Sequence, residues 1–94
     1  MIACEGGRCA VDGPLTIANI TAVLADSERL FTAGDVTVDL AAVTEVDSSA
    51  VSLLLQWLRA AQRDGRRIAF VNLPPNLKSL AALYSVAELI PGAV

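Results

Sequence analysis

The residues best suited to chemistry in this chain are three consecutive polar ones, Asp47, Ser48 and Ser49, which precede an apolar run. An aspartate followed by two hydroxyls could form a nucleophilic site, accept a phosphate, contact a partner or cap a helix. A serine nucleophile needs a general base to take its proton. The chain has no histidine, and an aspartate with an ordinary pKa of about 4 is a weak base. The pattern therefore disfavours an enzyme and leaves the other three roles open.

Phosphorylation and capping are both compatible with this motif. A phosphate on Ser49 or Ser48 would be stabilised by the helix dipole, yet its charge of roughly −1.5 to −2 would disrupt a close interface. The same hydroxyls can simply cap the helix, and both roles can hold at once. A phosphate-binding loop would need glycines and a lysine. Without that loop, and without histidine for a Cys/His zinc site, we expect no cofactor and no metal.

Composition restricts the class of protein. The chain has 94 residues, is 54% apolar and carries a net charge of −3 from ten acidic and seven basic side chains. Nucleic-acid binding normally needs a basic balance, so we expect no nucleic-acid partner. The longest apolar-rich run, residues 50–58, is shorter than the roughly 18–20 residues that span a bilayer. The N-terminus does not resemble a secretory signal. We expect one cytosolic domain over residues 1–94, with no direct insertion into a membrane.

The pattern of apolar residues predicts the element order β-β-α-β-α-β-α-α, and therefore an α/β domain with a mixed sheet of about four strands covered by helices. Two short strands, "MIACE" and "RCAVDG", flank Gly6-Gly7, and "GPLT" ends that hairpin. The remaining elements are a helix from about Ile20 to Thr32 with Ala33-Gly34 as its stop, a strand "DVTVDL", a helix from Ser49 to about Asp64 capped by Asp47 or Ser48, a strand "RRIAFVNL", a helix "LKSLAALYS" capped by Asn76, and a short helix "VAELI" ending at Pro91.

The two cysteines, Cys4 and Cys9, flank "EGGR". If Gly6-Gly7 forms a two-residue hairpin turn, the cysteines face each other across the strands and a bridge is geometrically possible. Thiols stay reduced in the cytosol. We therefore expect two free cysteines.

The helix after Asp47 has more apolar surface than one packed face needs. Helical spacing predicts that one face packs on the sheet, and this face comprises Val51, Leu54, Leu55, Leu58 and Ala61. A second stripe, Ser49-Leu53-Trp57-Ala60 with Gln56 beside it, lies on the other side. Another helix of the domain could cover this stripe, or it could contact a partner. Its position beside the hydroxyls favours a partner, so we expect one exposed patch formed by Asp47, Ser48, Ser49, Leu53, Gln56 and Trp57.

Four arginines cluster after this stripe, namely Arg59, Arg63, Arg66 and Arg67. Cations near a helix C-terminus are favoured by the helix dipole. The simplest interpretation is a solvated helix end. Because Arg66 lies at the opposite end from the hydroxyls, we expect Arg66→Ala to have little effect on partner binding.

Residues 36–90 resemble a STAS domain, the fold of anti-sigma-factor antagonists and of the tails of sulfate transporters. The residues that match are Asp39-Leu40 at the end of a strand, and Asp47-Ser48-Ser49 after a short loop and before an apolar helix. The first 35 residues agree in element order. In the antagonist branch the second hydroxyl, here Ser49, accepts a phosphate and a glycine usually follows it. Ala50 stands there in this chain.

The chain is more similar to the small STAS subunit of the Mla-type phospholipid-transporting ABC system, the MlaB-like branch. The segments that match are Leu53-Leu54-Leu55, Leu80-Ala81-Ala82-Leu83-Tyr84 and Ile90-Pro91. The resemblance implies that Ser48 is the important hydroxyl, and that the loop and helix dock on the ATPase of an ABC complex containing a permease. It implies a non-enzymatic cytoplasmic subunit, held at the inner membrane by its partner, that supports assembly or activity in lipid asymmetry maintenance. The alternative is an anti-sigma-factor antagonist switched by serine phosphorylation.

Overall fold

The computed structural model describes residues 1–31 and 34–90. It confirms the predicted order of elements. The strands are β1 (Ile2–Glu5), β2 (Arg8–Leu15), β3 (Val36–Val46) and β4 (Ile68–Val71), and the helices are α1 (Ile20–Leu30), α2 (Ser48–Arg63) and α3 (Pro75–Leu83), followed by a 3₁₀ turn (Ala87–Leu89). The predicted end of α1 at Thr32, its stop at Ala33 and the final Pro91 lie outside the described residues.

The four strands form one mixed sheet, as predicted, and their order in it is β1-β2-β3-β4. β1 pairs with β2 antiparallel, and the β2–β3 and β3–β4 pairs are parallel. Both central strands are longer than predicted. β2 continues through Gly13-Pro14 to Leu15, and β3 continues past Leu40 to Val46. The two strands pair over this extra length with two register shifts, and such bulges let a ladder continue through residues that break a simple alternation. β3 therefore leads almost directly into α2, where a short loop was expected.

The hydrophobic core lies on one face of this sheet. Along β2 the buried residues Cys9 and Val11 alternate with the exposed residues Arg8, Ala10 and Asp12. The same alternation holds for Val38 and Leu40 in β3 and for Phe70 in β4, all of which are buried. Alternation of this kind marks a sheet with one packed face. The helices pack on that face, and α2 contacts both α1 and α3.

Helix α2 buries more of its circumference than predicted: Val51, Leu54 and Ala61 of the predicted face are buried, as expected, and Leu53 and Trp57 of the second stripe are buried too. Its buried residues are Ala50, Val51, Leu53, Leu54, Trp57 and Ala61, so the stripe centred on Leu54 and Trp57 faces the core. Leu55 and Leu58, the other apolar leucines of the predicted face, are half-buried and pack against the edge of the core. The additional burial arises because α2 lies between two other helices and is apolar over more than half of its circumference. Two overlapping sets of apolar residues then fit the helical period, and the period alone does not show which set faces the core.

The N-terminal hairpin contradicts the expected free thiols, because a disulfide joins Cys4 and Cys9. Gly6 and Gly7 have φ values of 59° and 80°, as a two-residue turn of type I′ requires. This turn places Cys4 directly opposite Cys9 in the antiparallel register, with a Cα–Cα distance of 4.0 Å. Free thiols were expected because the cytosol is reducing, whereas the geometry of the hairpin brings the two sulfurs together.

The last elements differ from prediction in detail. α3 begins at Pro75, which occupies the first turn of the helix, a position that proline tolerates well. Asn76 lies inside that turn, and its Oδ1 accepts a hydrogen bond from the backbone N–H of Leu77 at 2.9 Å.

Within residues 1–31 and 34–90, the structure contains no helix with both the length and the hydropathy needed to cross a membrane.

Candidate partner-binding site

Asp47 is the residue that organises the start of α2. It is the N-cap, as predicted, and its Oδ1 accepts a hydrogen bond from the backbone N–H of Ser49 at 2.8 Å. Its Oδ2 accepts a second bond from the backbone N–H of Ile17 at 2.9 Å. One carboxylate therefore satisfies an otherwise unpaired N–H of the helix and also attaches the segment between β2 and α1 to it.

These hydrogen bonds lower the pKa of Asp47. The largest contribution comes from the backbone N–H of Ile17, and the backbone and side chain of Ser49 add to it against the opposing effect of burial. Hydrogen bonds to the charged form favour that form. Asp47 is therefore a carboxylate at neutral pH and a poorer proton acceptor than an ordinary aspartate.

The segment between β2 and α1 presents Ile17 to solvent. The backbone N–H of Thr16 donates to Asn19 Oδ1 at 2.8 Å, and the backbone N–H of Asn19 donates to the carbonyl oxygen of Thr16 at 3.0 Å. Asn19 Nδ2 also donates to the carbonyl oxygen of Pro14. This small turn and the bond to Asp47 fix the backbone around Ile17, whose side chain is 75% exposed. An exposed isoleucine on a hydrogen-bonded backbone is a suitable contact for a partner, since little conformational freedom is lost on binding.

A groove of about 320 Å³ lies between this segment and α2. We call it the Ser48 groove. It is lined by Ile17, Ile20, Thr21, Leu24, Ser48, Ser49, Ser52, Leu53 and Gln56. All of these residues are uncharged. Ser48, Ser52 and Gln56 are exposed and Ser49 is half-buried, so the groove has apolar walls from α1 and a rim of hydroxyls and one amide from α2.

The structure contradicts the predicted exposed patch at Trp57. Its side chain is 4% exposed, and its Nε1 donates a hydrogen bond of 2.7 Å to Ser27 Oγ. The ring packs edge-on against Phe31, with centroids 5.1 Å apart, and stacks on Phe70 at 6.4 Å. Leu53 is buried too, although it reaches the floor of the groove. α1 covers this stripe, so the predicted surface keeps Ser48, Ser49 and Gln56 and loses its tryptophan.

The two serines have no activating base among the described residues that contact them. Both oxygens of Asp47 are occupied by backbone N–H groups, and the pKa of Asp47 is lowered. A nucleophilic serine needs a neighbour that can accept its proton. The geometry at Ser48 and Ser49 is therefore that of a helix cap beside a groove, which suits binding.

The second matching motif, Asp39-Leu40, has a structural role. Asp39 Oδ2 accepts a bond from Arg8 Nη2 at 2.9 Å, and its Oδ1 accepts bonds from the backbone N–H of Ala41 at 2.9 Å and from Asn72 Nδ2 at 3.2 Å. The Ala41 bond, followed by Arg8 and Asn72, lowers the pKa of Asp39. This carboxylate connects residues of β2 and β3 to the end of β4, and it lines no part of the Ser48 groove.

Arg66 differs from the solvated arginine that the cluster suggested. Its side chain is 16% exposed, its Nη1 donates to the carbonyl oxygen of Phe31 at 3.0 Å, and its Nη2 lies 3.3 Å from Asp64 Oδ2. It thus joins the end of α1 to the residue after α2. The interpretation of Arg66 as a solvated side chain is therefore wrong, and the expected small effect of its replacement on partner binding stays a prediction.

Five lining residues were absent from the predicted surface, namely Ile17, Ile20, Thr21, Leu24 and Ser52. Ser52 could have been found from the sequence, because Ser48, Ser52 and Gln56 recur at four-residue intervals and thus share one polar side of a helix. The four residues in and before α1 could not have been found in this way, because their approach to α2 depends on how the helices pack.

Most of the chain matches a known protein family. The family model described as "Mlab, STAS domain" matches residues 3–91. The chain therefore belongs to this STAS domain family, and its fold confirms the resemblance found in residues 36–90. No curated protein sequence matches the chain.

Solved structures support the same fold. The chain is similar to the anti-sigma factor antagonist SpoIIAA in its unphosphorylated form, with a TM-score of 0.74 and 16% identity over 100% of this chain and 87% of that one. It is also similar to part of Mglu, with a TM-score of 0.63 and 26% identity over 82% of this chain. A structure of native Mglu gives a TM-score of 0.53 and 22% identity over 73% of this chain. The chain spans about a fifth of Mglu, at 20% and 22%.

Proposed function

We propose that this STAS domain is a non-enzymatic subunit that binds the ATPase of a phospholipid-transporting ABC complex and supports its assembly or activity. In that complex a permease crosses the membrane, and the STAS domain lies on the cytoplasmic side, held there by the ATPase. The observation that carries the proposal is the match of the MlaB-type STAS family model to residues 3–91.

The Ser48 groove is the docking surface in this proposal. Its lining is uncharged, and the cores of protein interfaces are depleted in charged residues. Ile17 supplies exposed apolar area, and Ser48, Ser52 and Gln56 supply hydrogen-bonding groups around it. We propose that an uncharged surface of the ATPase fills the groove, with Asp47 holding both walls in place from beneath. Binding energy is then available to select one arrangement of the ATPase.

The rival function is that of an anti-sigma-factor antagonist switched by phosphorylation of Ser49 or Ser48. The similarity of the fold to SpoIIAA favours it, but at 16% identity that likeness concerns the fold alone, and one fold supports many functions. The two functions require different partners. Neighbouring genes for an ATPase and a permease support the proposal, and genes for a kinase and a sigma factor support the rival.

The direct test is co-purification with the ATPase encoded beside this chain. Wild-type protein should form a stable complex, and the mass of the STAS chain should be unchanged after incubation with ATP. Ser48→Asp should weaken the complex, since it places a charge in an uncharged contact.

Glu45→Gln is the matched control, because Glu45 is exposed on β3 and lies outside the groove. It should bind as wild type does. The addition of one phosphate by a partner kinase, together with no complex with the ATPase, would overturn the proposal in favour of the antagonist.

A further inference from the structure

The disulfide at the N-terminal hairpin is a feature that partner binding does not use. It joins Cys4 in β1 to Cys9 in β2 across the turn at Gly6-Gly7. Neither cysteine lines the Ser48 groove. The turn is fixed at the opposite end of β3 from the groove, because the backbone N–H of Thr37 donates to the carbonyl oxygen of Gly7 at 2.9 Å.

The two cysteines differ in their access to solvent. Cys4 is exposed, whereas Cys9 is 3% exposed and belongs to the core. Cys4 owes its exposure to its place near the end of an edge strand of the sheet. A crevice of about 170 Å³ between the hairpin and the end of α1 has both cysteines in its wall, together with Leu30 and Phe31. A thiol in solution can therefore approach Cys4, and Cys9 is shielded.

The hairpin has other contacts that persist when the bridge is cut. β1 and β2 pair at four positions, Ile2 is buried, and the N-terminal ammonium lies 3.5 Å from Asp12 Oδ1. The loop that the bridge closes is short, and a cross-link over a short loop restricts the unfolded chain least. The bridge can thus open and close while the domain stays folded.

We propose that Cys4 and Cys9 form a reversible thiol–disulfide site in the folded domain, with Cys4 as the sulfur that an external dithiol attacks. A thiolate of the dithiol attacks Cys4 Sγ, a new S–S bond forms, and the bond between Cys4 and Cys9 breaks. Cys9 Sγ leaves with the electron pair and takes a proton. The second thiol of the dithiol then displaces Cys4, so that the domain gains two thiols and the dithiol becomes a disulfide.

Reduction should loosen the edge strand and leave the rest of the domain unchanged. Among the described residues, β1 pairs with β2 alone and contacts α1, so the bridge is its one covalent restraint apart from the turn. The Ser48 groove is built from residues of α2 and of the chain around the start of α1. The site is therefore a local redox element at the end of the molecule away from the proposed docking surface.

The first test identifies the attacked sulfur in the wild-type protein. The oxidised protein is incubated with 2-mercaptoethanol, quenched with acid, and alkylated before peptide masses are measured. The adduct should be on Cys4, with at least about tenfold less on Cys9, because access decides which sulfur is attacked. Equal labelling, labelling mainly on Cys9, or reaction only after denaturation would overturn the proposal.

The second test measures the effect of reduction with dithiothreitol by hydrogen exchange. The amides of Ala3 and Glu5, which form the hydrogen-bonded pairs with Ala10 and Arg8, should exchange at least about tenfold faster in the reduced protein. Those of α2 should not change, since exchange reports local opening. Reoxidation should restore the slow rates. A rise in exchange throughout α2, or a protein whose thiols do not form the bridge under an oxidant, would contradict the proposal.

Discussion

Asp47 links two parts of the molecule that are distant in sequence. Its carboxylate accepts hydrogen bonds from Ser49 in α2 and from Ile17 before α1. The amide of an asparagine has one oxygen where the carboxylate has two. Asp47→Asn can therefore satisfy only one of these two donors and should loosen one wall of the Ser48 groove.

The pH dependence of Asp47→Asn tests this role. The folded-state pKa of Asp47 lies below its unfolded value, so its contribution to stability is full above the unfolded pKa of about 4 and is lost as the pH falls through the folded pKa. The thermal midpoint of wild type should exceed that of Asp47→Asn at pH 7, and the difference should shrink below about pH 4. Asp39, whose pKa is also lowered, is present in both proteins, so its contribution to the pH dependence cancels in the difference. A difference independent of pH would show that the charge of Asp47 contributes nothing.

Trp57 is a core residue, so its replacement should affect folding. Trp57→Ala removes the contacts with Phe31 and Phe70 and leaves Ser27 Oγ without its indole donor. The free energy of unfolding in urea should fall by about 3–5 kcal/mol. Arg59→Ala, an exposed position on the same helix, should change it by less than about 0.5 kcal/mol. A Trp57→Ala protein as stable as wild type would contradict the packing described here.

At this scale the sequence predicts helix ends better than helix faces. The cap at Asp47 follows from local chemistry, since its partner Ser49 is two residues away. The burial of Trp57 depends on Ser27 and Phe31, which are distant in sequence. Tryptophan is common among interface anchors, so its position beside two hydroxyls suggested a partner contact. Only the position of α1 shows that Trp57 is internal.

Among the elements, α2 determines the arrangement of the domain. It contacts α1, α3 and β4, so two of its sides are buried and only the side with Ser48, Ser52 and Gln56 is exposed. The existence and order of the elements were predictable from periodicity, and the sheet of four strands followed from that order. The full length of β3 was not predictable, because its last residues pair with β2 through register shifts that no local pattern encodes.

Arg66 restrains the C-terminal ends of α1 and α2. Arg66→Ala removes the bond to the carbonyl oxygen of Phe31 and the ion pair with Asp64, and should lower the free energy of unfolding by about 1–2 kcal/mol, allowing for partial exposure. Chemical denaturation of the variant gives this value. Arg63→Ala is the matched control, since Arg63 also pairs with Asp64 but its side chain is 75% exposed. Equal effects of the two changes would contradict a specific role for Arg66.

On the scale of the whole molecule, the fold is that of a STAS domain, and the proposed function places partner binding on one surface. STAS membership was predictable because it rests on a strand, a motif and a helix that lie close in sequence. The Ser48 groove was only half predictable, because α2 supplies one wall and the chain around the start of α1 supplies the other. The identity of the partner could not be predicted from this sequence, since a fold does not specify what it binds.

The most direct test of the central claim is the affinity of the ATPase subunit for Ile17→Asp compared with Leu83→Asp, measured by calorimetry. Ile17 is 75% exposed in the Ser48 groove, and Leu83 is 72% exposed at the end of α3 and outside it. Both variants should fold, because neither side chain is buried. Ile17→Asp should weaken binding by at least about thirtyfold, or roughly 2 kcal/mol, and Leu83→Asp should bind as wild type does. Unchanged binding by Ile17→Asp, or an equal loss in both variants, would contradict docking through the Ser48 groove.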